Sequence, residues 1–175
     1  HDREVIDALY RNRRLWSTLL SDCSREGNGL PEAIRRLARQ QCRYHLAVSL
    51  HAADDELRNR LVPSNRQVGV ASIVAVVDEY FAKTGRRVTF EYVLLARLND
   101  SADDAGRLVE LLRGRPVLVN VIPYNPVAGL PYRTPSQGSS TRFVELLRAG
   151  GLNVQIRHRK GDEIDAACGQ LRRGR

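Results

Sequence analysis

The residues best suited to covalent chemistry lie near the carboxyl terminus, where Cys168 stands among small neighbours in Asp165-Ala166-Ala167-Cys168-Gly169-Gln170-Leu171. Small neighbours leave the sulfur open to a reactant. The upstream Arg157, Arg159 and Lys160 supply positive charge that favours thiolate over thiol, and the thiolate is the nucleophile. The bland alternative is a buried, inert cysteine, since lone thiols usually pack as small hydrophobes. Cys23 and Cys42 are the only other cysteines. Three thiols so dispersed cannot form a local cradle for an iron–sulfur cluster. Their odd number and wide spacing read as reduced thiols and not as a disulfide framework. Asp162, Glu163 and Asp165 read as shaping the turn that holds Cys168 rather than as acids or bases.

Two further groups sit where the pattern places strand ends: Ser49-Leu50-His51, and Asn125 in Pro123-Tyr124-Asn125. Taken alone, His51 is an ordinary strand-end histidine and Asn125 an ordinary turn former before Pro126. The four histidines are scattered and give no zinc spacing, and no phosphate loop or dinucleotide fingerprint occurs. Lys83-Thr84-Gly85 has no Ser-x-x-Lys companion and reads as a helix end.

The elements that must position these groups alternate along the chain. Glu4–Leu20 carries Val5, Leu9, Trp16 and Leu20 near one helical face, and Pro31–Arg39 follows as a short helix with proline in its first turn. A buried strand is expected at His45–Leu50, then helix Val70–Thr84 capped by Gly85 and strand Val88–Leu95. Asn99-Asp100-Ser101 supplies the cap of helix Ala102–Leu112, which leads to strand Val117–Ile122. Helix Thr141–Ala149, stopped by Gly150-Gly151, and strand Asn153–Arg157 complete the series. Alternation with short links implies parallel strands with helices outside the sheet, and places active residues at the strands' carboxyl ends.

A chain of 175 residues with 42% hydrophobic content suffices for one compact domain. No apolar run reaches the roughly 20 residues of a membrane span, and the start His1-Asp2-Arg3-Glu4 is not that of a signal peptide. A cytoplasmic protein is expected. Net charge is +8, and every basic residue but Lys83 and Lys160 is arginine. Arginine pairs with phosphate through two parallel hydrogen bonds, so RNA is the natural partner, with Arg157, Arg159 and Lys160 as candidate contacts. A GC-rich genome would give the same arginine excess. The clusters at 157–160 and 172–175 read equally as solvated ends.

Longer stretches carry a resemblance. They are Leu46-Ala47-Val48-Ser49-Leu50-His51-Ala52, Asp55-Glu56-Leu57-Arg58-Asn59-Arg60-Leu61-Val62-Pro63, and Thr84-Gly85-Arg86-Arg87-Val88-Thr89-Phe90-Glu91-Tyr92-Val93-Leu94-Leu95 with Asn99-Asp100-Ser101. Val119-Asn120-Val121-Ile122-Pro123-Tyr124-Asn125-Pro126-Val127, Gly129-Leu130-Pro131-Tyr132-Arg133 and the Cys168 tail continue the series. In this order they resemble the carboxyl-terminal half of the RlmN/Cfr-type radical S-adenosylmethionine RNA adenine-C2 methyltransferases, over about Gly29 to Arg173. Residues 1–28 fall outside the match and are expected to be helical.

The resemblance implies an α/β fold, the carboxyl-terminal part of an open parallel β/α barrel. It implies that Ser49, Leu50 (through its backbone), His51 and Asn125 contact S-adenosylmethionine, and that Cys168 is the S-methylcysteine intermediate. The family's substrates are adenines of large-subunit (23S) ribosomal RNA and of transfer RNA. Sulfur suits this work because an S-methyl group can give up a hydrogen atom and add, as a sulfur-stabilised methylene radical, to a carbon that is not nucleophilic.

The departures bear on activity. The family's 4Fe–4S cluster is held by Cys-x-x-x-Cys-x-x-Cys, and this chain has no such triplet, hence no metal ligands of its own. The second cysteine, the glutamate base and the Gly-Glu-Pro motif belong to the half not matched here. Arg25-Glu26-Gly27-Asn28 stands where a cofactor-binding serine is expected. Two functions therefore stand at this point: part of the methyltransferase, with an upstream segment or separate chain supplying the cluster half, or an inactive remnant that binds RNA through its basic surface.

Overall fold

The computed structural model describes residues 30–39, 45–62, 68–126 and 130–157. The expected helix Glu4–Leu20, Arg159, Lys160 and Cys168 lie outside the described residues. The described residues group into two compact units, a helical one (residues up to 45 and 54–86) and a sheet unit (46–53 and from 87 on).

In the helical unit, α1 (Leu30–Arg39), α2 (Asp55–Leu61) and α3 (Val70–Thr84) are joined by polar ties. Arg35 sends Nε and Nη2 to the two carboxylate oxygens of Glu79 at 2.9 and 3.0 Å, linking α1 to α3. This fork raises the Arg35 pKa and holds the Glu79 carboxyl below its ordinary range, chiefly through the hydrogen bonds that Arg35 donates and Glu79 accepts. With Glu79 depressed, the stabilisation is present above the unfolded carboxylate pKa and is lost as pH falls through the folded one. Asp54 caps α2 by accepting from Leu57 N–H at 2.8 Å, and Asp55 accepts from Val70 N–H at 2.7 Å, capping α3 from a neighbouring helix. Gly85 ends α3 at φ 64°, a left-handed conformation that glycine adopts without a Cβ penalty. Arg58 is buried, and burial draws its pKa below the ordinary guanidinium value against the opposing charge of Asp55.

In the sheet unit, β1 (Ala47–Ser49), β2 (Val88–Leu94), β3 (Val117–Pro123) and β4 (Val154–Ile156) lie in that order, every pair parallel. Along β2 and β3 burial alternates residue by residue, as period-2 side chains require. Val48, Phe90, Tyr92, Val119, Val121 and Val154 form the buried face. Helices α4 (Ala102–Leu112) and α5 (Gln137–Ala149) belong to the same unit, and Phe143 of α5 meets the Tyr92 ring at a 5.4 Å centroid distance.

The opposite face carries Ser49, Glu91, Asn120 and Gln155, which the register sets side by side across all four strands. The α/β class and parallel sheet expected from alternation are therefore present, and the sheet is open, as the resemblance implied.

Local chemistry fixes the helices. Ser101 and Asp104 form a reciprocal capping box at the start of α4, each side chain accepting from the other's backbone N–H at 3.1 and 3.0 Å. Helix α5 begins at Gln137, four residues before the expected Thr141, because Ser136 accepts from Ser139 N–H and caps it there. The chain leaves α5 at Gly150, and a Cβ built there would lie 2.6 Å from Val109 Cγ1 and 3.1 Å from Val109 Cβ on α4. Gly150→Ala is expected to lower stability by about 1–3 kcal/mol through overpacking. A urea titration showing an unshifted midpoint would mean that the two helices separate freely.

Candidate functional site at the strand ends

The carboxyl ends of β1 and β3 bring Ser49, Leu50, His51 and Asn125 to the same end of the parallel sheet. The residues differ in what they can offer. Ser49 and Asn125 are exposed. The Leu50 side chain is fully buried and its N–H donates to Glu91 O at 3.0 Å, so neither is open to a ligand.

His51 is half-buried and takes φ 61°, a conformation that costs a non-glycine residue energy. Two bonds hold it there: its Nδ1 accepts from Val93 N–H at 3.0 Å, and its backbone carbonyl accepts from Asn99 Nδ2 at 2.9 Å. An acceptor Nδ1 puts the hydrogen of the neutral ring on Nε2, so the ring presents a donor on its other edge.

Asn99 organises this end of the sheet, and sequence reasoning read it only as part of a capping stretch. It is 0% exposed. Its Oδ1 accepts from Leu95 N–H at 2.7 Å, its Nδ2 donates to both His51 O and Val93 O, and its own carbonyl accepts from the Tyr92 hydroxyl at 3.0 Å. One side chain thus ties the end of β1 to the end of β2. The available signal was a small amide in the short link between a strand and a helix cap.

Beyond β2, Ala96 N–H donates to Arg133 O at 3.0 Å, and Tyr124 stacks edge-on with Tyr132 at 5.9 Å. These contacts hold Tyr132 against Tyr124 and Arg133 against the segment that follows β2. On the open face Asn120 Nδ2 donates to both oxygens of Glu91 at 2.9 and 3.2 Å. Asn120, Arg148, Gln155, Ile156 and Arg157 line a cleft of about 490 Å³.

For S-adenosylmethionine, a polyfunctional cation, these residues are of fitting chemistry: hydroxyl, imidazole and carboxamide stand at one end of the sheet, with the Glu91 carboxylate in the row beside Ser49. For a 4Fe–4S cluster they are not. Among the described residues no group of three His, Cys, Asp or Glu side chains is gathered, and all three cysteines are outside the described residues. Of the RNA candidates, Arg157 lies exposed just after β4, while Arg159, Lys160 and Cys168 are outside the described residues. No described helix is long and apolar enough to cross a membrane.

Comparison with known proteins agrees with this reading of the fold. The chain is 58% identical over 147 residues to a protein of Rhodopirellula baltica named "Probable dual-specificity RNA methyltransferase RlmN", covering 84% of this chain and 40% of that protein. A protein of the same name from Symbiobacterium thermophilum is 42% identical over 173 residues, covering 98% of this chain and 44% of its own length. A radical SAM methyltransferase structure from Sphaerobacter thermophilus superposes with a TM-score of 0.78 at 47% identity, covering 81% of this chain and 42% of that one. The chain therefore spans about two fifths of the length of the relatives it matches, in their carboxyl-terminal part. Residues 1–40 match the family described as flagellar protein FlaF.

Proposed function

We infer that this chain, which matches the carboxyl-terminal part of RlmN-type radical SAM RNA methyltransferases, contributes the cofactor wall and the methyl-carrying thiol of such an enzyme. The reading extends to a cytoplasmic transferase acting on adenine C2 in ribosomal and transfer RNA, with a separate chain or upstream segment supplying the cluster half. What carries it is the coincidence of 58% identity with a strand-end arrangement in which a buried asparagine locks the His51 backbone.

In this reading Ser49, the Leu50 carbonyl, His51 Nε2–H and Asn125 hold S-adenosylmethionine at the end of the sheet. When bound, S-adenosylmethionine supplies a methyl group on a positively charged sulfur. The residues of this chain orient it and exclude water. The Cys168 thiolate would attack that methyl carbon, so that its bond to the Cys168 sulfur forms as its bond to the sulfonium sulfur breaks, S-adenosylhomocysteine leaves, and the thiol's proton is lost to solvent. The positive charge of Arg157, Arg159 and Lys160, close to Cys168 in sequence, favours the thiolate, and the same residues are the candidate partners of RNA phosphates. No step is derived through the cluster, whose ligands this chain lacks.

The test is mass spectrometry of the carboxyl-terminal peptide after co-expression with the amino-terminal part of a relative carrying the cysteine triplet. The expected result is Cys168 heavier by one methyl group. An unmodified thiol in a complex that binds the cofactor would overturn the carrier role and leave the inactive, RNA-binding remnant.

A further inference from the structure

The open-face row does not end at the cofactor wall. At its β4 side Asn120 and Gln155 are register partners, and Arg157, two residues beyond Gln155, falls on the same face. Arg157 N–H donates to Val121 O at 2.9 Å, so the strand geometry continues through it. Arg148 reaches the same sheet edge from α5, its Nη2 donating to Val154 O at 3.2 Å.

The orientation of Asn120 is decided by chemistry. An ionised Glu91 can only accept, so the Asn120 amide must turn its NH2 toward that carboxylate and its Oδ1 away. The Gln155 side chain makes no hydrogen bond among the described residues. The cleft therefore joins an oriented carbonyl acceptor, an adaptable carboxamide and two guanidinium groups, and no carboxylate is among its described lining residues; Glu91, on the neighbouring strand, is bonded to Asn120.

We propose that this cleft holds one nucleotide of a single-stranded RNA segment, its phosphate between Arg148 and Arg157 and the amino-bearing edge of its base against Asn120 and Gln155. Two guanidinium forks suit a phosphate and do not suit a sulfonium cation, which separates this site from the cofactor's. An acceptor beside a carboxamide matches an exocyclic amine next to a ring nitrogen, the pattern of adenine and cytosine, whereas uracil offers two carbonyls. Single-stranded RNA exposes these edges. The proposal rests on the reading of the chain as part of an RNA-modifying enzyme and adds where, and to what kind of nucleotide, it binds.

Fluorescence anisotropy of the full chain with labelled oligo(A) and oligo(U) of about ten nucleotides, over a series of salt concentrations, tests it. Oligo(A) is expected to bind more tightly than oligo(U). Arg148→Gln and Arg157→Gln should each lower the slope of log affinity against log salt by about 0.7, one phosphate contact on a single strand. Gln155→Leu should keep the slope and erase the preference for adenine. Because Arg148→Gln also removes the bond to Val154 O, Arg157→Gln, on an exposed side chain, serves as the independent variant. Equal affinity for both oligomers, an unchanged slope in Arg157→Gln, or no binding of either oligomer overturns the assignment. Methylation of Cys168 reads the thiol without RNA, so it survives if only the cleft fails and is lost if the enzyme reading fails.

Discussion

Asn99→Ala should cost about 3–5 kcal/mol of folding stability, as much as truncating a buried aromatic of the sheet unit to alanine. The alanine leaves Leu95 N–H and the carbonyls of His51 and Val93 without the partner that joined them. Each buried group stranded in this way costs about 1–3 kcal/mol, more than the net worth of the bond itself. Leu95 N–H, in a buried bond, should bear the full penalty, and the part-buried carbonyls less. Against a typical total of about 5–15 kcal/mol, this is a large fraction.

Asn99→Asp sharpens the test, since it keeps an acceptor for Leu95 N–H but aims a charged oxygen at two carbonyls. Repulsion and burial raise the folded-state pKa of the introduced carboxyl, so this variant should gain stability as pH falls, when protonation restores a donor. Urea denaturation gives the free energies, and hydrogen exchange at the Val93 and Leu95 amides reports whether the strand end opens. A loss below about 1 kcal/mol would show that His51 is held without this clamp.

Cys168→Ala should abolish RNA methylation in the complex with the cluster-bearing half, by about four orders of magnitude or more, as removal of a covalent nucleophile does elsewhere. The same variant should bind S-adenosylmethionine as the unaltered chain does, because the groups proposed to hold the cofactor are at the ends of β1 and β3. His51→Ala should show the converse at the binding step. It forfeits the imidazole donor and the Val93 bond and keeps the strained φ, for an expected weakening of about five- to hundredfold, the equivalent of about 1–3 kcal/mol. Equilibrium dialysis separates the two. If Cys168→Ala lost cofactor binding as well, its failure to methylate would no longer identify a carrier.

Much of this arrangement was legible in residue order. Gly85 and Ser101 announced a helix end and a helix start, and period-2 burial in Val88–Leu94 and Val117–Pro123 follows from alternating apolar residues. Ser49, His51 and Asn125 stand at strand ends, as their place after apolar runs implied.

Other features were hidden for definable reasons. Helix α2 is only seven residues long, too short to show a period, and is set by the Asp54 cap and by Asp55, whose partner Val70 lies fifteen residues away. The start of α5 is the polar stretch Gln137-Gly138-Ser139-Ser140, which carries no apolar face to read. The strands at the sheet edges are three residues long, shorter than the apolar runs that suggested them, since pairing with one neighbour extends only as far as the register allows. Asn99, Glu91, Asn120 and Gln155 are ordinary in sequence. Their roles arise from neighbours 4 to 48 residues distant, most of them on another strand, and no local pattern encodes such pairings.

The strict in-and-out alternation of β2 and β3 makes strand alignment and surface chemistry inseparable. Were β3 to slide by one position, Asn120 would be driven into the hydrocarbon interior while Val119 and Val121 turned to water. The misassembled sheet would lose apolar burial and strand a carboxamide at once. The polar band thus acts as a proofreader of assembly, and a mutation that greased it for tighter folding would also erase the penalty that rejects the wrong alignment.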